Sequence, residues 1–275
     1  MRGVTLQQAA EAMKGELVGA ADPGTEPTGG VIDNRVIEPG DLFFALKGEH
    51  TDGHRFVDAA IAEGASSVVV QKSWMAENRA CGPVIVVDAP DLALGDLARH
   101  YRKRFDIPVI GITGSNGKTT TKDMTAAVLN RKYKVLATRG NLNTRLGVPL
   151  TILGLEDHEV AVIEMGISEY HGLNYLCEVA DPTIGVITNI GPTHLEFLGS
   201  VEGVASAKGE LLEYLDESSM AILNFDDLLL SKERVKGRLL GFGIEMSSQF
   251  RGEGLVLDQK GCGHFSLQNH KFDLQ

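Results

Sequence analysis

The residues best suited to chemistry lie in one stretch, Pro108 to Thr121, which reads Pro-Val-Ile-Gly-Ile-Thr-Gly-Ser-Asn-Gly-Lys-Thr-Thr-Thr. An apolar run, Val109 to Ile112, has the pattern of a buried strand. A turn holding Gly114 and Gly117 follows, then Lys118, Thr119 and a helical pattern through Leu129. Strand, glycine loop and helix in that order make a phosphate-binding loop. Glycines let the backbone curl so that several N–H groups converge on one anion, and the helix N-terminus adds partial positive charge. In such a loop Lys118 reaches the β- and γ-phosphates and the Thr119 hydroxyl ligates Mg²⁺. The spacing is not the standard one, because Gly117 lies six positions after Gly111. The alternative is an ordinary strand-to-helix turn with a surface lysine, but Gly-Lys-Thr after a buried strand rarely serves packing alone.

Other polar residues follow apolar runs in the same way. Glu164 closes Val160-Ala-Val-Ile, the place of a metal-binding carboxylate downstream of a phosphate loop, although a solvated strand end has the same pattern. His194 lies in Thr188-Asn-Ile-Gly-Pro-Thr-His-Leu-Glu, where it either ligates a metal or phosphate or is a plain exposed side chain. Lys208, in Ser206-Ala-Lys-Gly-Glu210 on a helical pattern, reads by residue type as a surface charge. Asn141-Leu-Asn143-Thr-Arg-Leu-Gly-Val-Pro is a polar loop that faces the substrate end of a nucleotide or, with Asn143 as N-cap, starts a helix.

These residues need a frame, and the hydrophobic pattern predicts one. Helical patterns run over Thr5–Met13, Phe56–Ala62, Asp91–Arg104, Leu173–Val179 and Val201–Leu215. Strand patterns run over Leu42–Leu46, Ser67–Val70, Val84–Val87, Tyr133–Ala137, Val160–Glu164, Ile184–Thr188, Met220–Asn224 and Leu239–Phe242. Loops are expected over 20–30 and 47–54. The expectation is an α/β chain: a small N-terminal α/β domain, residues 1–87, and a phosphate-loop domain, residues 88–275, with a mostly parallel sheet flanked by helices. Ligands then gather at the carboxyl ends of the strands. After Phe242 short segments such as Gly254-Leu-Val-Leu and His264-Phe-Ser-Leu read as hairpin strands, and a chain ending at Gln275 without a closing helix reads as a partial sequence.

Composition narrows the partners. The chain has 275 residues, 43% hydrophobic and 23% charged, with a formal charge of −11. That balance argues against a nucleic-acid partner, since no basic face forms easily. Cys81, Cys177 and Cys262 are odd in number and lack metal spacing, which suits reduced thiols in a cytoplasmic protein. No signal peptide is apparent, and no apolar run is long enough to span a membrane.

Taken together the motifs resemble the Mur ligase family, ATP-dependent amide ligases that build the peptidoglycan precursor. Thr113-Gly-Ser-Asn-Gly-Lys-Thr-Thr is similar to the family's ATP loop, including its unusual spacing. Asn189-Ile-Gly-Pro-Thr-His-Leu-Glu and Ser206-Ala-Lys-Gly-Glu are similar to two further family blocks. Asp33-Asn-Arg35, then Pro39-Gly-Asp-Leu-Phe-Phe-Ala-Leu-Lys-Gly and Asp52-Gly-His54, resemble the uridine-nucleotide domain of the later ligases. The loop from Asn141 and the sequence Glu164-Met-Gly look like the member that adds D-alanyl-D-alanine, with Thr144-Arg145 standing where Asn-Glu is expected.

The resemblance implies a reaction and a residue set. ATP phosphorylates the terminal carboxylate of a UDP-N-acetylmuramoyl tripeptide, and the amine of D-alanyl-D-alanine attacks the acyl phosphate. Gly114, Ser115, Asn116, Gly117, Lys118, Thr119, Thr120 and Asn189 are implied to hold ATP. Thr119 and Glu164 are implied for one Mg²⁺, and His194 with a carbamylated Lys208 for a second; Lys118, Glu164, His194 and Lys208 form the catalytic set. Asp33, Arg35, Lys47, Asp52, His54, Asn141 and Asn143 are implied along the UDP-substrate. A monomeric, cytoplasmic enzyme is expected. The third, C-terminal domain of the family is expected to be absent, so that the 275-residue chain alone binds substrate without turnover. Competing readings are another Mur ligase, such as the one adding the third amino acid, a folate-polyglutamylating relative, and, from a different class, a phosphate-loop kinase or a nucleotide-binding regulatory module.

Overall fold

The computed structural model describes residues 1–275 except 20–21, 49–50, 246–247, 260–262, 268–269 and 274–275. The expected loops over 20–30 and 47–54 are therefore described in part, and Cys262 and Gln275 lie outside the described residues.

The chain forms two compact units. The first comprises Met1–Ile107, Thr138–Glu159 and Glu178–Asp181. It opens with α1 (Leu6–Ala12), where Thr5 and Gln8 cap each other's backbone N–H groups. β1 (Glu16–Val18), β2 (Gly30–Val31), β3 (Leu42–Phe44), α2 (Val57–Ala62), β4 (Ser67–Gln71), α3 (Lys72–Glu77), β5 (Val84–Val87) and α4 (Pro90–Arg102) follow. The sheet runs β1-β5-β4-β3-β2, parallel except where β1 joins β5. Its central strands carry unbroken apolar cores because both faces are covered: Leu42, Phe43, Phe44, Val68, Val69 and Ile85 are fully buried. α4 starts at Pro90 and turns Leu94, Leu97, Ala98 and Tyr101 inward at helical spacing. The helix that follows the boundary expected near Asp88 thus belongs to the first unit, as does the loop after Ala137.

The second unit comprises Pro108–Ala137, Val160–Cys177 and Pro182–Gln275. It begins with β6 (Val109–Thr113), α5 (Lys118–Leu129) and β7 (Val135–Ala137). α6 (Gly147–Leu153) lies in the returning segment of the first unit. β8 (Val160–Glu164), α7 (Gly172–Ala180), β9 (Ile184–Ile187), α8 (Leu195–Leu198), α9 (Val201–Tyr214), β10 (Met220–Asn224) and β11 (Arg238–Gly243) continue the alternation. β12 (Phe250–Leu257), β13 (Gly263–Leu267) and β14 (His270–Asp273) extend it as an antiparallel ribbon. The sheet order is β14-β13-β12-β11-β10-β9-β6-β8-β7, parallel from β12 to β7. After β6 the chain winds to one side, through β7 and β8, and then returns to the other through β9. The strand order therefore reverses between β6 and β9, where the carboxyl ends leave a crevice for ligands.

Candidate active site

The loops leaving β6 and β9 are bonded to each other. Gly114 has φ +144°, and a Cβ there would run into the Thr188 side chain, so the close approach requires glycine. Gly117 has φ +77° and starts α5 from the left-handed region. Ser115 N donates to the Asn189 carbonyl at 2.9 Å, and Asn116 N donates to Asn189 Oδ1 at 3.0 Å. Asn189 Nδ2 and Thr188 Oγ1 donate back to the Asn116 carbonyl at 3.0 and 2.6 Å. Ser115 Oγ donates to the Gly191 carbonyl and accepts from Gly191 N. Ser115, Asn116 and Asn189, predicted to touch ATP, are here the stitching of the cradle. Lys118 Nζ donates to the Gly114 and Ser115 carbonyls at 2.8 and 3.3 Å, which holds the ammonium across the loop. Thr119 and Thr120 are exposed in the first turn of α5.

The sequence reading missed the outer brace of this cradle. Asn224 Nδ2 donates to the Thr188 carbonyl, and Asp227 Oδ2 accepts from Ile190 N at 2.6 Å. The signal was present, since Asn224-Phe-Asp-Asp227 is a polar cluster closing an apolar strand, like Glu164.

Glu164 is 2% exposed, which removes the reading of a solvated strand end. It pairs in register with Ile112, one residue short of the end of β6, and Met165 is tied to that strand through its N–H to Ile112 and its carbonyl to Thr113 Oγ1. Lys208 is also 2% exposed, contrary to the surface charge expected from residue type. Burial, and then the neighbouring Lys118 ammonium, push its pKa down to about 8. His194 is exposed, with left-handed backbone at the start of α8. Among the described residues no three His, Cys, Asp or Glu side chains converge to hold a metal. A hydroxyl and a single buried carboxylate, Thr119 and Glu164, are hard oxygen donors of the kind that hold Mg²⁺ jointly with phosphate oxygens. The amine of Lys208 does not fit such an ion, whereas a carbamate on it fits.

In the first unit, Lys47, His54, Gln71, Pro90, Asp91 and Arg145 are among the residues lining a cavity of about 580 Å³. His54 is 6% exposed; its Nδ1 lies 2.6 Å from Asp52 Oδ1, its Nε2 accepts from Gln71 N, and its ring stacks on Trp74. Both ring nitrogens are therefore engaged within the protein, and the histidine shapes the cavity wall. Burial works against the Asp52 charge, but the hydrogen bonds from the His54 backbone and ring hold its pKa below the usual range. Asp33 and Arg35 form an exposed two-pronged pair, which holds Asp33 down to about 2. Neither lines the cavity, and neither does Asn141 or Asn143, although their neighbours Thr144, Arg145 and Leu146 do. Asn143 is not the cap of α6: the helix starts later, after Leu146, and Thr144 Oγ1 accepts from Gly147 N.

Comparison with known proteins agrees with this geometry. Residues 112–275 match the Mur ligase middle domain, and residues 28–102 match the Mur ligase family, catalytic domain. The UDP-N-acetylmuramoyl-tripeptide–D-alanyl-D-alanine ligase of Synechocystis sp. is 41% identical, over 82% of this chain and 51% of the relative. A crystal structure of MurF from Acinetobacter baumannii superposes with a TM-score of 0.87 at 32% identity, covering 98% of this chain and 59% of that one. MurF from Thermotoga maritima, solved in complex with ADP, superposes with a TM-score of 0.78 at 32% identity over 89% of this chain and 57% of that one. The chain spans about half the length of the curated relatives it matches.

Proposed function

Because the chain belongs to the Mur ligase family, we propose that it serves an ATP-dependent amide ligase joining D-alanyl-D-alanine to a UDP-N-acetylmuramoyl tripeptide. The reaction runs through an acyl phosphate. A tripeptide carboxylate oxygen attacks the γ-phosphorus, and the bond to the β-phosphate oxygen breaks, releasing ADP. The amine of D-alanyl-D-alanine then attacks the acyl carbon, loses a proton, and phosphate leaves from the tetrahedral intermediate.

The difficulty is charge, because a carboxylate must approach a polyanion. Lys118 answers it by exchanging its loop carbonyls for phosphate oxygens, while the glycine loop offers backbone N–H groups to the same phosphates. Thr119 and Glu164 would hold one Mg²⁺, and His194 with a carbamylated Lys208 a second; the ions, when bound, neutralise the phosphate charge. Carbamylation needs a neutral amine, and a buried Lys208 with a pKa of about 8 offers one near neutral pH. The single observation that supports the reading is the glycine loop itself, with Gly114 packed against Thr188 and Lys118 held across the loop by the Gly114 and Ser115 carbonyls. Lys47, His54 and Arg145 border the cavity that this reading gives to the uridine-nucleotide substrate, with Asp52 holding His54 from behind; Asp33, Arg35, Asn141 and Asn143, which do not line it, would meet the substrate outside the cavity. No helix among the described residues is long and apolar enough to cross a membrane; the nucleotide substrates suit an enzyme acting in the cytoplasm, which this reading takes to be a monomer.

The test is ADP formation by the protein carrying this sequence. The proposal expects it to require both the UDP-tripeptide and D-alanyl-D-alanine. ADP formation with a stable phosphorylated product and no amine requirement would instead identify a kinase.

A further inference from the structure

Three carboxylates among the described residues are buried: Asp41, Glu164 and Glu210. Asp41 serves its own turn, accepting from Thr28 Oγ1 and Glu38 N. Glu164 belongs to the site above. Glu210, 9% exposed, does something different: from α9 it reaches the start of α7, where Oε1 accepts from His171 N at 2.7 Å and Oε2 from Asn174 N at 2.9 Å. Helix starts carry free N–H groups and partial positive charge, and they are usually capped by a local Ser, Thr, Asp or Asn. Here the cap comes from another helix, 36 and 39 residues away in sequence.

Glu210 also lies two positions after Lys208. Two residues along an α-helix turn about 200°, so the two side chains leave α9 on different sides. One grips α7; the other reaches the field of Lys118. The segment that α7 terminates begins at Met165, which is pinned to β6 by Ile112 and Thr113. α9 is thereby locked to the piece of chain that carries Glu164.

We propose that Glu210 is a positioning residue that fixes the rotation of α9 and so aims Lys208 into the phosphate cradle. This rests on the functional reading above, in which Lys208 takes part in holding Mg²⁺ beside the nucleotide. Glu210→Gln keeps the size but sets an amide NH₂ against a backbone N–H. Glu210→Asp keeps the charge but falls one methylene short.

The experiment measures ATP affinity by calorimetry with and without Mg²⁺, in bicarbonate buffer, for the wild-type chain and both variants, alongside thermal unfolding. The expected result is Mg²⁺-free affinity unchanged within about twofold, with the tightening by Mg²⁺ reduced roughly fivefold or more in Glu210→Gln and less in Glu210→Asp. If Glu210→Gln does not fold, Glu210→Asp decides by the same comparison. A lowered melting temperature with the wild-type response to Mg²⁺ would overturn the proposal and leave Glu210 as a helix cap alone. Absence of ATP binding by the wild type would remove the functional reading itself, a result distinct from any difference between variants.

Discussion

The phosphate cradle of the second unit and the cavity of the first are built in opposite ways. In the cradle the chemistry is left to backbone N–H groups, one lysine and the exposed hydroxyls of Thr119 and Thr120, while Ser115, Asn189 and Asn224 bond loop to loop. In the cavity the most recognisable residue, His54, spends both ring nitrogens on Asp52 and Gln71, and cavity-facing polarity comes from Lys47, Asp91 and Arg145 on three separate segments. A motif residue can thus serve a cavity by holding its wall, while other polar side chains face the space within.

Gly114→Ala strikes the cradle hardest. The φ of +144° disfavours any side chain, and the new methyl meets Thr188. Loss of about 2–4 kcal/mol in stability and more than about hundredfold in ATP affinity is expected, read by denaturant unfolding and calorimetry. A tolerated alanine would show that the two loops do not need their close approach.

His54→Ala should separate the two regions. It removes a stacked ring and leaves the Gln71 N–H without its acceptor, for a cost of about 2–4 kcal/mol. ATP affinity, a property of the other unit, should stay within about twofold. A large loss of ATP affinity would mean the two regions are coupled.

Lys208→Met sharpens the comparison in the opposite direction. The native pKa of about 8 lies below the ordinary 10.5, so the unfolded chain binds more protons across that window and wild-type stability rises as pH climbs through it. Removing the charge should therefore stabilise the fold by about 1–3 kcal/mol at pH 7, with the gain shrinking from pH 8 toward 10.5. A destabilised Met variant at pH 7 would show that the buried ammonium is fully compensated.

Most of the frame was legible because the central strands are unbroken apolar runs and α4 and α9 keep a helical period. α6 was not, since Gly147-Val-Pro-Leu-Thr-Ile-Leu is apolar on every side and shows no period. β1 is three residues long and takes its place from pairing with β5, which no local pattern announces. The phosphate loop was legible because glycine and lysine at that spacing have few other uses. The burial of Lys208 was not, because its Ala and Gly neighbours say nothing about what α9 packs against. The boundary near Asp88 followed the order of strand and helix patterns along the chain, whereas the first unit takes in α4 and the returning segment Thr138–Glu159 through contacts distant in sequence.

The central claim is that the loop between β6 and α5 grips a triphosphate through Lys118. Titrating ATP with Mg²⁺ into the wild-type chain and into Lys118→Ala tests it most directly. The account predicts saturable binding by the wild type, weakened about ten- to hundredfold in the variant. Equal affinity in the two proteins would contradict it.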